Sequence, residues 1–247
     1  MNKINRRQFV RRSMYTAMGT AIVPALGAHA QDAHVAGPRL RVAQIGTAHA
    51  HAAGKIQALR ALPEWYEVVA MAETDSTRRR TMAGREAYAG LQWMEVDALM
   101  EMKDLNVLVI ETSCEEAPEL VRLALEAGKH VHLDKPGSWD HAGFIAIRRL
   151  AEELGLIVQM GYMLRHLPVI EFLFRIVRDG WLGDLLEIEA SMGRRAGDRE
   201  LHELARIPGG GMFEIGCHQI DLVVNVLGKP QAVHASSAPS PDGIAGP

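Results

Sequence analysis

A chain of 247 residues, 48% hydrophobic and 23% charged, has enough apolar side chain to bury a core, fits one large or two modest domains, and is no disordered tail. Only 5% of its residues are aromatic, while Gly occurs 23 times and Met 12, a balance that suits α/β architecture and excludes collagen-like, coiled-coil and disulfide-scaffold chains. The formal charge of −3 hides an asymmetry: the first 30 residues hold Lys3, Arg6, Arg7, Arg11 and Arg12 and no acid, leaving −8 on the remainder, so phosphate backbones and anionic membrane surfaces are repelled and nucleic acid is not an expected partner.

Residues 1–30 read as a targeting segment. A basic Asn5-Arg6-Arg7-Gln8-Phe9-Val10-Arg11 precedes a mildly apolar run over 13–27, diluted by Thr16, Gly19, Thr20 and Pro24, and Ala28-His29-Ala30 supplies the small-residue cleavage motif. The paired arginines resemble a twin-arginine export signal, and the apolar run is shorter than the roughly 20 residues of a membrane anchor, so no stable membrane insertion is expected. The twin-arginine route moves folded proteins, often with a cofactor inside. The resemblance therefore implies the twin-arginine export machinery as a partner, a periplasmic location and a cofactor-bearing fold. Folding in a reducing compartment leaves Cys114 and Cys217 as free thiols.

Residues 31–38 form a linker. Then 40–45 is a compact apolar run ending at Gly46, the signature of a buried parallel strand, and 51–62 carries helical spacing through Ile56, Leu59 and Leu62 up to Pro63. A strand over 66–72 ends on Glu73; strands over 106–111 and 130–133 flank a helix over 117–127 that Gly128 terminates. A helix over 140–154 and a strand over 156–160 complete a βαβ rhythm, which predicts a Rossmann doubly wound parallel sheet over 39–161. From 162 the rhythm changes. A helix over 168–178, an alternating strand over 185–191, a loop rich in Gly, Arg and Asp, and a helix opened by Gly209-Gly210-Gly211 and running to Leu227 predict an incomplete second α/β domain over 162–247, with a loose tail from 235.

The first turn, Gly46-Thr47-Ala48-His49-Ala50-His51, follows a buried strand and opens a helix, as a dinucleotide turn does. Gly46 supplies the bend and Ala48 the close approach, but His51 occupies the third glycine position, so the Gly-x-Gly-x-x-Gly fingerprint is degraded. Glu73 is placed to accept from adenosine ribose hydroxyls, favouring NAD, whereas Thr74, Ser76, Arg78, Arg79 and Arg80 would suit the 2′-phosphate of NADP; either dinucleotide remains open. Glu214, His218 and Asp221 fall within about 60° on a helix of about 100° per residue, which puts carboxylates one turn from an imidazole that can carry a hydroxyl proton near neutral pH.

Gly128-Lys129-His130-Val131 leading into Asp134-Lys135-Pro136 resembles the Ala-Gly-Lys-His-Val and Glu-Lys-Pro segments of the Gfo/Idh/MocA (glucose-fructose oxidoreductase and inositol dehydrogenase) family. Tyr162 to Pro168 resembles its Arg-x-x-Pro opening of the second domain, and residues 209–221 resemble its Gly-Gly-Gly and Asp-x-Gly-x-His-x-x-Asp helix, so ordered motifs span roughly 40–234. The resemblance implies an exported NAD(P)-dependent oxidoreductase that moves hydride to or from a secondary hydroxyl or keto carbon of a sugar, inositol or related polyol. Lys135 and His218 would be the acid/base pair, assisted by Glu214. Gly46, Thr47, Ala48, His49, Ala50, Glu73, Thr112, Lys135 and Pro136 would line the cofactor, and Tyr162, Arg165 and Asp221 the substrate.

This chain departs from the family pattern at Glu214, in place of Asp, and at Asp134, in place of Glu; the loop from Thr112 to Glu116 lacks the Pro and His of relatives. The 217 residues after the signal leave out most of the open sheet that serves the family as substrate floor and oligomer surface, so a homo-oligomer is expected of full-length relatives and not of this short chain. Two other readings stand beside the enzyme: a catalytically incompetent nucleotide- or ligand-binding relative, or a fragment of a longer oxidoreductase. Eleven histidines, with His49-x-His51 and His130-x-His132 among them, raise a metal-dependent hydrolase as a third, but satisfied imidazoles are commoner in buried strands and no metal is assigned.

Overall fold

The last four residues of the first strand, β1 (Leu40–Ile45), are buried. A run apolar on both faces needs helices above and below it, and the chain supplies them by alternation. The computed structural model describes residues 38–193 and 197–236, apart from the side chains of residues 199, 200 and 203. The expected targeting segment 1–30, all but the end of the expected linker 31–38, and the expected tail from 237 on lie outside the described residues.

After β1 come α1 (Ala52–Arg60), β2 (Tyr66–Ala72), α2 (Ser76–Ala83), β3 (Gln92–Met94), α3 (Val96–Glu101), β4 (Val107–Ile110), α4 (Ala117–Glu126), β5 (His130–Leu133), α5 (His141–Leu154) and β6 (Val158–Met160). All pairings are parallel, and the strand order is β3-β2-β1-β4-β5-β6. This is the doubly wound Rossmann sheet the alternation predicts. Registers pair Ile45 with both Ala72 and Ile110, and Ile110 with Leu133, so four strand ends lie level along one edge. Order reverses between β1 and β4, the switch point outside which such sheets bind ligands.

Ala43, Ile45, Leu108, Ile110, Val131 and Leu133 join Leu120, Val121 and Ala124 of α4 in one buried cluster, and Ile56, Met71 and Tyr88 form a second. Asp75 and Asp140 cap their helices by accepting from backbone N–H groups of residues two or three positions on, so α2 and α5 start where the sequence offers an acceptor. β3 and α3 are absent from the sequence expectation. Three residues are too few to show a period of two, and the short helix after them buries only Leu99.

The chain forms two compact units, Gly37–Gly161 and one from Tyr162 on. The latter holds a 3₁₀ turn (Met163–His166), α6 (Pro168–Arg178), α7 (Asp198–Leu204), a wide π-type turn (Met212–Gly216) and α8 (Cys217–Leu227).

Two expectations change here. Residues 185–191 are not a strand: a strand needs a ladder partner, the described residues of this unit contain no other strand, and Leu186 stands 96% exposed. Part of the loop rich in Gly, Arg and Asp is instead α7. The helix after Gly209 is not regular either. The π-type turn winds more residues into each revolution, so the 100° spacing relates His218 to Asp221 within α8 but does not extend back to Glu214.

Candidate dinucleotide site and its polar floor

Gly46 ends β1 with φ +90°, and a Cβ there would overlap Thr112 Cγ2 and lie 2.9 Å from the Glu111 carbonyl oxygen. Only glycine lets β1 turn this close to β4. Thr47 is buried behind it, with its N–H donating to Glu73 Oε2 at 2.7 Å and its hydroxyl to the same oxygen at 2.5 Å. Ala48 and Ala50 are small and exposed where α1 begins, and the first turn of α1 has no acid. A glycine cradle that a Cβ would fill, followed by a helix N-terminus without a carboxylate to repel phosphate, fits a dinucleotide pyrophosphate.

Glu73 is buried at the end of β2; its other oxygen accepts from the Asp75 N–H at 3.2 Å and lies 3.8 Å from Arg78. Of the basic cluster beyond it, Arg79 is engaged by Glu95 and the Trp93 carbonyl, and Arg80 by Thr77, while Thr74 donates to Glu116. Arg78, which also reaches Asp75 Oδ2 at 3.4 Å, is the arginine adjacent to the Glu73 carboxylate.

Thr112 follows Glu111 just beyond β4 and is nearly buried. Lys135 and Pro136 follow Asp134 beyond β5, joined by a cis peptide bond, and Lys135 is 5% exposed with its N–H donating to Asp134 Oδ1 at 2.7 Å. Strand ends β1, β4 and β5 thereby bring Gly46, Thr112 and Lys135 to one edge.

Beneath that edge lies a polar cluster the sequence reading missed. Glu111 and Asp134, each one residue past its strand, are both buried. His49 Nδ1 is 3.3 Å from Glu111 Oε2; His51 Nδ1 and Lys55 Nζ are 3.2 and 3.3 Å from Asp134 Oδ2; and Lys55 Nζ also meets His132 Nε2 at 2.8 Å. Since an ammonium only donates, His132 Nε2 accepts and its Nδ1–H faces Gln159 Oε1 at 3.1 Å.

Burial pushes the Glu111 carboxyl up. Burial acts the same way on Asp134, but the His51 hydrogen bond and the charges of His49 and Lys55 overrule it and hold that carboxyl below its ordinary range. Burial and the Lys55 charge push His132 down, keeping it neutral. The available signal was an acid directly after each apolar strand, with His51 and Lys55 four apart on α1.

In the other unit, His218 is buried near the start of α8 and its ring meets Tyr162 edge-on at 6.1 Å. Arg165 lies over the Tyr162 ring at 5.4 Å and forms a two-pronged ion pair with Asp221, one arm at 2.7 Å. Burial first, then the nearby Cys217 and Asp221, raise the Tyr162 phenol above its usual value. Tyr162, Arg165, His218 and Asp221 are therefore one group. Glu214 is half-buried in the π-type turn, where its carbonyl accepts from the Cys217 thiol at 3.5 Å.

Residues 40–162 match the oxidoreductase family with an NAD-binding Rossmann fold, and residues 171–244 match the GFO/IDH/MocA C-terminal domain. The chain belongs to the Gfo/Idh/MocA family. Among the relatives of this Gfo/Idh/MocA chain is an uncharacterized oxidoreductase, C115.03, of Schizosaccharomyces pombe, 30% identical over 80% of this chain and 55% of that one. The dTDP-3,4-didehydro-2,6-dideoxy-alpha-D-glucose 3-reductase of Streptomyces antibioticus is 27% identical over 81% and 60%. The chain thus spans between half and two thirds of the length of these curated relatives. A 3-ketoreductase from Actinomadura kijaniata, solved with TDP-benzene and NADP in an open conformation, superposes with a TM-score of 0.50 at 28% identity, over 58% of this chain and 44% of that one.

Proposed function

We propose that this protein is an exported NAD(P)-dependent oxidoreductase acting on a secondary hydroxyl or keto carbon of a sugar, inositol or related polyol. The observation that carries the reading is the switch point itself, where Gly46 packs against Thr112 and Glu111 between β1 and β4 with no room for a side chain. The sugar reductase and the ketoreductase among the relatives support the substrate class.

When bound, the nicotinamide supplies or takes up the hydride. Gly46 and the α1 N-terminus would hold the pyrophosphate, and Thr112 and Pro136 would line the nicotinamide. Glu73 orients the ribose, with Arg78 beside it where a 2′-phosphate would need a cation; NAD and NADP are alternatives at this position. Lys135 donates a hydrogen bond to the reacting oxygen and so stabilises charge that develops there. His218 exchanges the hydroxyl proton. Tyr162 keeps its phenol proton near neutral pH and serves as a donor to substrate, while the Arg165–Asp221 pair fixes the segment that carries it.

The basic opening of the chain supports twin-arginine export to the periplasm, with the cofactor loaded beforehand. Free nucleotide is scarce there, so a retained cofactor would be reoxidised in place by a second substrate, giving ping-pong kinetics. The test is to express the chain with its first thirty residues, isolate the periplasmic protein, denature it and identify released nucleotide by mass spectrometry. Near-stoichiometric NAD or NADP, and hydride transfer to a polyol or its ketone that Lys135→Ala and His218→Ala each reduce at least a hundredfold, is the expected result. Retained nucleotide without hydride transfer would favour a binding relative. A folded protein without nucleotide would overturn the assignment of the turn.

A further inference from the structure

We propose that His49, His51 and Asp134 bind one zinc ion at the C-terminal edge of the sheet, beneath the first turn. Each of the three offers a ligand atom within 4.8 Å of the other two. His51 Nδ1 and His49 Nδ1 lie 3.2 and 3.7 Å from Asp134 Oδ2. Tetrahedral zinc with bonds of about 2.0–2.1 Å sets its ligands about 3.3 Å apart. The two contacts to Asp134 are already near that spacing, and the two imidazole nitrogens close on the ion from within 4.8 Å of each other. Two imidazoles and a carboxylate are a donor set that zinc accepts, and three protein ligands leave the fourth position to water or a small anion.

The surroundings are those of a held site rather than of chance proximity. Asp134 is fixed through its other oxygen by the Lys135 N–H at 2.7 Å, and its side chain is only 3% exposed. The His49 backbone is tied to the Glu111 carbonyl at 3.1 Å. His49 Nδ1 also faces Glu111 Oε2 at 3.3 Å and the His51 N–H at 3.3 Å, contacts that a metal on this nitrogen replaces. The two rings meet edge to face with centroids 4.6 Å apart, which lets both present nitrogen toward one point.

Lys55 is the competitor. Its ammonium reaches the same Asp134 oxygen at 3.3 Å, and a metal must displace it. A long flexible side chain can withdraw, and Lys55 already has His132 Nε2 at 2.8 Å and Glu111 Oε1 at 3.9 Å as further neighbours. Removing this cation therefore strengthens zinc binding, the opposite of what damage to the fold would do.

The experiment is competition for Zn²⁺ between the full chain and a chromophoric chelator, with Co²⁺ substitution to read the coordination by visible absorption. One Zn²⁺ per chain is expected, with tetrahedral Co²⁺ bands. Affinity should fall at least tenfold in His51→Ala and in His49→Ala, and rise several-fold in Lys55→Met. His51 makes no side-chain cap bond to α1 but does pair with the buried Asp134, so thermal melting of His51→Ala separates lost zinc affinity from lost stability. Unchanged zinc affinity in the His49→Ala/His51→Ala double variant, or unchanged or weaker binding in Lys55→Met, would overturn the proposal. Neither readout depends on hydride transfer or nucleotide retention, so the functional reading can fail independently.

Discussion

The unit Gly37–Gly161 and the unit from Tyr162 onward are both rich in apolar helices, yet they bury their side chains very differently. In the first, Leu108, Ile110, Val131 and Leu133 are almost wholly enclosed by helices; in the second, Ile176 is the one buried apolar side chain among the described residues apart from glycines. Leu167, Val169, Trp181, Leu182, Ile220 and Leu227 of the second unit are all exposed. A helix with one apolar stripe is stabilised by the layer it faces, and the parallel sheet supplies that layer for α1 to α5 within its own unit. Polar and aromatic contacts, chiefly Arg165 with Asp221 and Tyr162 with His218, are what ties α8 to the 3₁₀ turn.

The largest expected effect tests the core contrast. Leu108→Ala should cost about 2–5 kcal/mol in urea unfolding, whereas Val224→Ala, at a position 38% exposed, should stay within about 0.5 kcal/mol. Comparable losses at both positions would erase the distinction between the units.

Gly46→Ala comes next. Its Cβ meets Thr112 and the Glu111 carbonyl at a positive φ, which should cost about 1–3 kcal/mol and abolish nucleotide retention, read by melting and by mass spectrometry of the denatured protein. Arg165→Ala should cost only about 0.2–1 kcal/mol, because the arginine is 42% exposed; hydrogen exchange should then quicken in α8 and leave β4 unchanged.

The smallest effect is at Asp75, whose carboxyl is held below its ordinary value by the N–H groups of Arg78 and Thr77. The lowered value means that its stabilisation is present above the unfolded-state pKa of about 3.9 and is lost as pH falls through the folded value. Asp75→Asn should flatten that part of the acid limb of a melting curve measured across pH. An unaltered acid limb would assign the acid sensitivity to other carboxyls.

Apart from β3 and α3, the alternation of strands and helices from 40 to 160 was legible because the strands are short, mainly apolar runs and the long helices repeat at their own period. Gly46, Glu73 and Lys135 were legible for a related reason: each sits at the end of a strand, where a parallel sheet puts its ligands. β3 was too short to carry a pattern. The expected strand at 185–191 shows the converse failure, since alternating polarity is necessary for a half-buried strand but supplies no hydrogen-bonding partner. Helical spacing likewise placed Glu214 with His218 and Asp221, and the π-type turn removed that regularity.

Sequence alone determined the doubly wound sheet and which residues stand at its strand ends, because hydrophobic period and glycine position are local properties of the chain. Only the tertiary structure decided that Thr47 would engage one oxygen of Glu73, and that His49, His51, Lys55 and His132 would share one polar floor around the buried Glu111 and Asp134. Those residues run from position 49 to position 134, and the pairing of β1 with β4 and of β4 with β5 brings them together. What each ionisable group does there depends on burial and on the charges within a few ångströms of it, and neither quantity exists until the strands have paired.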